Sequence, residues 1–275
     1  MIIDCHCHAG RGDLLTAPWN TDAPLDVFLR RSARAGISRT IVFPAFHTDY
    51  TVANRQLARL VADQPKRLTG FAMVHCGRDA GRIGAMLGEA VRRFGFRGVK
   101  VHGHEHLPTR ELCEAARHLR IPVLADVGGK AHVIDMFAPQ FPEVTFIIPH
   151  LGSFADSFRA HQEVIYQLVR YPNVYADTSG VRRFDYLVEA VRRAGARKLL
   201  FGSDGPWLHP GLELHKIRLL GLDRHAEALV TGGNARRLIF GDFDSCSRPA
   251  VPHPRSRAPR GQRQSRSIAS PYGRW

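Results

Sequence analysis

Two histidines one residue apart stand near the start of the chain, in Asp4-Cys5-His6-Cys7-His8. In an extended segment residues i and i+2 face the same way, so Asp4, His6 and His8 share one face while Ile3, Cys5 and Cys7 share the other. Two imidazoles on one face offer two nitrogen ligands to a single metal ion. The His-x-His pair alone is a weak sign, because packing histidines are common. It gains weight from the residues that end other apolar runs: Asp204 after residues 199–203, His150 after residues 144–149, and Asp126 closing residues 122–126. In residues 98–102, alternation points Lys100 and His102 inward and Val99 and Val101 outward. A lysine on an inward face needs a partner. That partner is a substrate carboxylate, the acids of a site or a structural ion pair, or else the amine is carboxylated and bridges two metals.

Such groups converge only if the elements carrying them do. Apolar runs at 2–5, 40–43, 68–74, 98–102, 122–126, 144–149, 173–177 and 199–203 predict eight strands. Amphipathic stretches predict helices between them at 25–35, 54–63, 80–94, 109–119, 133–137, 161–170 and 186–194, with further helices at 226–230 and 235–240 after the last strand. Gly36, Gly95 and Gly195 stand where helices should end. Strand then helix, repeated eight times, is the pattern of parallel βαβ units, and the predicted fold is α/β, a single (β/α)8 TIM-type barrel. A doubly wound open sheet would want a Gly-rich phosphate loop after the first strand, and His-Cys-His stands there instead. In a closed barrel the eighth strand lies beside the first, which makes Asp204 a neighbour of His6 and His8.

The length of 275 residues fits this one domain, and 44% hydrophobic against 23% charged residues suffices for a core without disulfides. Five cysteines with no CxxC pair argue against a disulfide framework or a four-cysteine zinc site. No basic and apolar leader precedes Asp4 and no run is long enough to span a membrane, so the expected location is cytoplasmic, with no membrane partner. The net charge of +14 divides in two. Residues 245–275 hold seven Arg, five Pro and six Ser and no acid, so half of the charge sits in a predicted disordered tail, and residues 1–244 form the predicted barrel. Arg-rich arms bind phosphates, but no aromatic interleaving accompanies these arginines, and a solvated extension is the preferred reading over a nucleic-acid arm.

The ordered motifs resemble the amidohydrolase superfamily. They are Asp4-Cys5-His6-Cys7-His8, Gly98-Val99-Lys100-Val101-His102, Ile148-Pro149-His150-Leu151-Gly152, residues 173–179, Phe201-Gly202-Ser203-Asp204-Gly205-Pro206-Trp207 and residues 232–238. More narrowly, the likeness is to the amidohydrolase-related branch that includes aminocarboxymuconate semialdehyde decarboxylase. The resemblance implies one divalent ion, zinc before others, held by His6, His8 and Asp204, with His150 positioning or activating the reacting water. One departure stands out. The family usually has histidine at the end of strand five, where this chain has Asp126 as a candidate ligand. A carboxylate there makes Mn2+ or Fe2+ rivals to Zn2+ and weakens the version with a lysine bridging two metals.

On this reading the protein is a metal-dependent hydrolase of a C–N or C–O bond in a small acidic substrate. Asp204 moves the water proton, His150 stabilises charge on the substrate oxygen, and Lys100 with His102 holds the substrate. The same site could instead serve a non-oxidative decarboxylase. A third reading is a silent barrel whose basic tail binds nucleic acid. A homo-oligomer is compatible with all three. Minor candidates are His47 and His75 as mouth-lining residues, Asp177 and Ser179 behind the ligands, and Trp207 as a pocket wall.

Overall fold

The computed structural model describes residues 1–15 and 22–241. The tail at 245–275, with Cys246, lies outside the described residues. Nine strands alternate with ten helices among those described: β1 Ile2–Ala9, α1 Asp26–Arg34, β2 Ile37–Pro44, α2 Tyr50–Asp63, β3 Leu68–Gly70, β4 Ala72–Met73, α3 Ile83–Phe94, β5 Val99–Val101, α4 Arg110–Leu119, β6 Val123–Ala125, α5 Ile134–Phe137, β7 Phe146–Ile148, α6 Phe158–Arg170, β8 Val174–Asp177, α7 Phe184–Ala194, β9 Leu199–Leu200, α8 Pro210–Leu219, α9 Arg224–Ala228 and α10 Asn234–Phe240. Gly36, Gly95 and Gly195 all have positive φ, of 81°, 70° and 82°, as helix ends next to strands require. Helix α2 starts before its predicted position because Asp49 caps it, its side chain accepting from the N–H groups of Thr51 and Val52. Helix α8 was not predicted: its apolar residues do not keep to one face, with Leu214 and Ile217 buried but Leu212 and Leu219 exposed.

All strand pairs are parallel, as expected for an α/β chain, but the ladders form two sheets, β1-β2-β3 and β4-β5-β6-β7-β8-β9, rather than one continuous ring. The predicted third strand is split at Phe71: β3 takes β2 as its partner and β4 takes β5. The other gap follows β9, where the Phe201 N–H donates to the Val230 carbonyl. Isolated hydrogen bonds bridge the gaps, one at the first from Phe71 N–H to the Val42 carbonyl at 2.8 Å, and two at the second from Cys5 N–H to the Phe201 carbonyl at 2.9 Å and from His8 N–H to the Gly205 carbonyl at 2.7 Å.

The buried apolar residues follow this arrangement. A large cluster packs the helices on the sheets and includes Val99 and Val101, as predicted for the outward face of that strand. A second cluster joins Ile3, Cys5, Ile41 and Phe43 of the first sheet to Leu124, Ile147 and Leu200 of the second, with Ala235 and Ile239 of α10 packed on it. Strict alternation in β1 fails at one place. Cys7 lies in the large cluster and not with Ile3 and Cys5, because the β1–β2 register shifts between Asp4 and Cys7. Among the described residues no helix is long and apolar enough to cross a membrane, and Cys5, Cys7, Cys76 and Cys113 are unpaired and buried.

Candidate active site

Strand β1 is longer than its apolar run, so His6 and His8 lie inside a paired strand and are both buried. The Nδ1 of His8 lies 3.2 Å from the Pro44 carbonyl. A carbonyl only accepts, so Nδ1 carries the proton and Nε2 keeps its lone pair. His6 is arranged in the same way, its Nδ1 2.7 Å from Asp177 Oδ2. Its Nε2 is buried with no hydrogen-bond partner and faces Asp204 Oδ1 at 3.3 Å. A lone pair set against a carboxylate oxygen calls for a cation or a shared proton between them.

One ligand atom each from His6, His8 and Asp204 lies within 4.8 Å of the others. Burial lowers the His6 pKa to about 3 and pushes His8 well below its usual value, with Lys100 adding to both, so the imidazoles are neutral, the form that binds metal. Burial raises Asp204 to about 6 against the pull of His150 and Lys100. The donor set, two neutral nitrogens and one carboxylate around an unsatisfied buried atom, fits a divalent cation.

His150 sits in the turn Pro149–Gly152 after β7, in the left-handed region with φ of 58°. Its ring lies 4.9 Å from that of His6, and its Nδ1 is 2.8 Å from the Ser179 carbonyl, so its Nε2 also keeps a lone pair. Asp177, at the end of β8, ties these parts together. Besides His6 it accepts from the N–H groups of His150 at 3.1 Å and Ser179 at 2.9 Å and from the Ser179 hydroxyl at 2.5 Å. Burial alone would raise its carboxyl, but His6, His150 and the Ser179 hydroxyl hold it below the usual range. Asp4 leaves the face it was predicted to share with the histidines and accepts from Ser203 N–H and Oγ at 2.9 and 2.6 Å.

Asp126 is near but differently engaged. Its Oδ2 is 3.2 Å from His102 Nε2 and its Oδ1 accepts from Gly128 N–H at 2.7 Å, and it is not among the mutually close ligand atoms. Lys100 is fully buried and does not line the cleft; its Nζ has no hydrogen bond, lies 5.2 Å from the Phe43 ring centre, and its charge acts on Asp126, Asp177 and Asp204. A cleft of about 410 Å³ opens above the histidines. His8, His102, His104, Asp126, His150, Ser153 and Asp204 supply its polar side chains, and Phe46, Phe154, Trp207 and Leu208 wall it. The Trp207 ring is 4.6 Å from His8, the place predicted for it. Neither His47, which faces Asp13 at 3.5 Å, nor His75, which accepts from Gly77 and Arg78 N–H, lines the cleft.

The residues that sequence reasoning undervalued are Asp177 and Ser179. Both were named as groups behind the ligands, but the signal that raises Asp177 further, an acid ending a strand at the same level as Asp204, becomes persuasive only with the register known.

The sequence model of the family described as amidohydrolase matches residues 3–240, nearly all of the described chain. The chain belongs to the amidohydrolase family. Solved structures share its fold. A zinc-bound amidohydrolase from Burkholderia multivorans is 16% identical, with 87% of this chain and 99% of that one covered and a TM-score of 0.74. A dihydroxybenzoic acid decarboxylase from Polaromonas sp. JS666, with bound manganese and the inhibitor 2-nitroresorcinol, is 18% identical, covering 87% and 96%, at a TM-score of 0.62. A probable 2-pyrone-4,6-dicarboxylic acid hydrolase from Acinetobacter baumannii with citric acid bound is 16% identical, covering 87% and 99%, at 0.67. At these identities the likeness is one of fold. No curated protein sequence matches this amidohydrolase.

Proposed function

We propose that this amidohydrolase is a metal-dependent hydrolase of a C–N or C–O bond in a small molecule, its ion held by His6, His8 and Asp204. The observation that carries the reading is the buried, unpartnered His6 Nε2 facing Asp204. Two nitrogens and one carboxylate suit zinc, with manganese or iron as substitutes. Asp126, held by His102 and Gly128, serves as a wall of the cleft and not as a ligand. The isolated hydrogen bonds across both sheet gaps, together with the apolar cluster drawing on both sheets, support reading the strands as one (β/α)8 barrel over residues 1–244, with 245–275 as an appendix. Four unpaired, buried cysteines fit a reducing, cytoplasmic setting.

When bound, a divalent ion here polarises the substrate and makes water nucleophilic at neutral pH. His150, its Nδ1 proton committed to the Ser179 carbonyl, presents a lone pair and accepts the water proton, a different duty from the charge stabilisation that the sequence suggested. The proton that His150 takes up is returned to the leaving group, while Asp204 would remain a carboxylate toward the ion. Phe46, Phe154 and Trp207 exclude bulk water.

The test is turnover by the zinc-loaded protein on cyclic esters, cyclic amides and ring carboxylic acids, following both hydrolytic product and CO2. Hydrolysis supports the reading. CO2 release without hydrolysis replaces it with decarboxylation at the same site.

A further inference from the structure

At the end of the strands away from the candidate metal site, residues of β2, of the α2–β3 connection, of the segment before β5 and of α10 line a hollow of about 470 Å³. Three guanidiniums line it, those of Arg39, Arg97 and Arg236, and among the described residues that line it there is no Asp or Glu. Elsewhere on the surface arginines meet carboxylates, as Arg82 meets Asp79 and Arg182 meets Asp156, both at 2.7 Å. Arg39 is fixed by neutral groups instead. Its Nη1 donates to Thr69 Oγ1 at 2.9 Å and to the Pro65 and Leu68 carbonyls at 3.3 Å, and its Cζ stands 5.7 Å from the Phe240 ring centre. These contacts orient the guanidinium and leave its charge uncancelled. Arg97, two residues before β5, is exposed and has no ion pair among the described residues. Like charges that converge on one concavity without a counter-charge focus a positive potential there.

We infer that this hollow is a binding site for a diphosphate anion, separate from the metal-dependent reaction. A guanidinium presents paired N–H groups that match two phosphate oxygens, and it gives up its hydration more readily than an ammonium does. Three of them suit a diphosphate, since a single phosphate group already carries about −1.5 to −2 at neutral pH. Val61, Pro65 and Phe240 form an apolar side of the same hollow, on which the organic part of a phosphate ester can rest. The diphosphate is common to inorganic pyrophosphate and to nucleoside diphosphates, and contact with the apolar side separates the two. Because the hollow and the candidate metal site lie at opposite ends of the strands, occupancy of one does not require occupancy of the other.

The experiment titrates pyrophosphate and ADP into the zinc-loaded full chain by calorimetry at about 0.15 M salt, where interactions between distant charges are screened. Each is expected to bind at about one equivalent. Arg97 is exposed, so its variants are expected to fold. Arg97→Gln should weaken both ligands by about tenfold, and Arg97→Glu by about a hundredfold. Tighter binding of ADP than of pyrophosphate supports the site and an organic ligand, and equal binding supports the site and an inorganic one. No binding of either, or unchanged binding by Arg97→Glu, overturns the inference. Two further proteins locate the anion: His6→Ala/His8→Ala and the chain ended after Asp244 are expected to bind both ligands within about threefold of the parent. A loss of about tenfold or more in the first would place the anion at the metal site, and in the second on the tail, and either overturns the inference. So does a single-stranded DNA oligomer that displaces pyrophosphate and binds about tenfold more tightly, which would make this face a nucleic-acid surface.

Discussion

The His6 imidazole donates through Nδ1 to Asp177 Oδ2 at 2.7 Å, with both side chains wholly buried. The pair settles which His6 nitrogen keeps a lone pair, and it orients the ring with Nε2 toward Asp204. In Asp177→Asn the charge that holds this tautomer is gone, and zinc affinity is expected to fall about 10- to 100-fold. Competition with a chromophoric chelator measures it. Unchanged affinity would show that β1 alone orients the ring.

Removing both nitrogens is the more direct test of the ligand set. The double variant His6→Ala/His8→Ala is expected to purify with almost no metal where the parent holds about one equivalent. Elemental analysis of the two, side by side, reads this out, and equal metal content would refute the site.

Lys100 separates the sequence expectation from the structure. Because its Nζ lies against Phe43 and not in the cleft, Lys100→Met should leave KM within about threefold of the parent. A KM rise of tenfold or more, with kcat unchanged, would restore it as a substrate contact.

Gly103 packs directly on the chain that carries Asp126: a Cβ there would stand 2.5 Å from the Asp126 carbonyl oxygen. Gly103→Ala must therefore move backbone, at a cost of about 1–3 kcal/mol. Urea denaturation measures the loss. No shift in midpoint would mean that the loop yields freely.

Ending the chain after Asp244 removes seven of the 39 Lys and Arg residues and keeps α10, whose Ala235 and Ile239 are buried. Turnover and metal content are expected to be unchanged within about twofold, since no described active-site residue lies beyond Leu208. Loss of activity on truncation would bring the tail into the function.

Much of the architecture was legible because apolar periodicity reports burial. All nine helices predicted between or after the strands recur within a few residues, and each predicted strand has a counterpart, though the third is divided at Phe71. Helix α8 escaped because its apolar residues are not confined to one face. The His6, His8 and Asp204 grouping was legible because strand ends in a parallel α/β chain share one level. Cys7 was misplaced because a register shift within β1 has no mark in the sequence.

The types of the site residues, and the order in which the chain presents them, were therefore determined by the sequence itself: His-x-His in the first strand, acids and a histidine at later strand ends, and membership of one family. Which atoms face one another was decided only by the tertiary structure. Hydrogen bonds to Pro44, Asp177 and Ser179, distant in sequence from the imidazoles they meet, choose the tautomers of His8, His6 and His150. Local pattern encodes a side chain's face and burial, whereas its proton and its partner depend on groups that only long-range packing brings within hydrogen-bond distance.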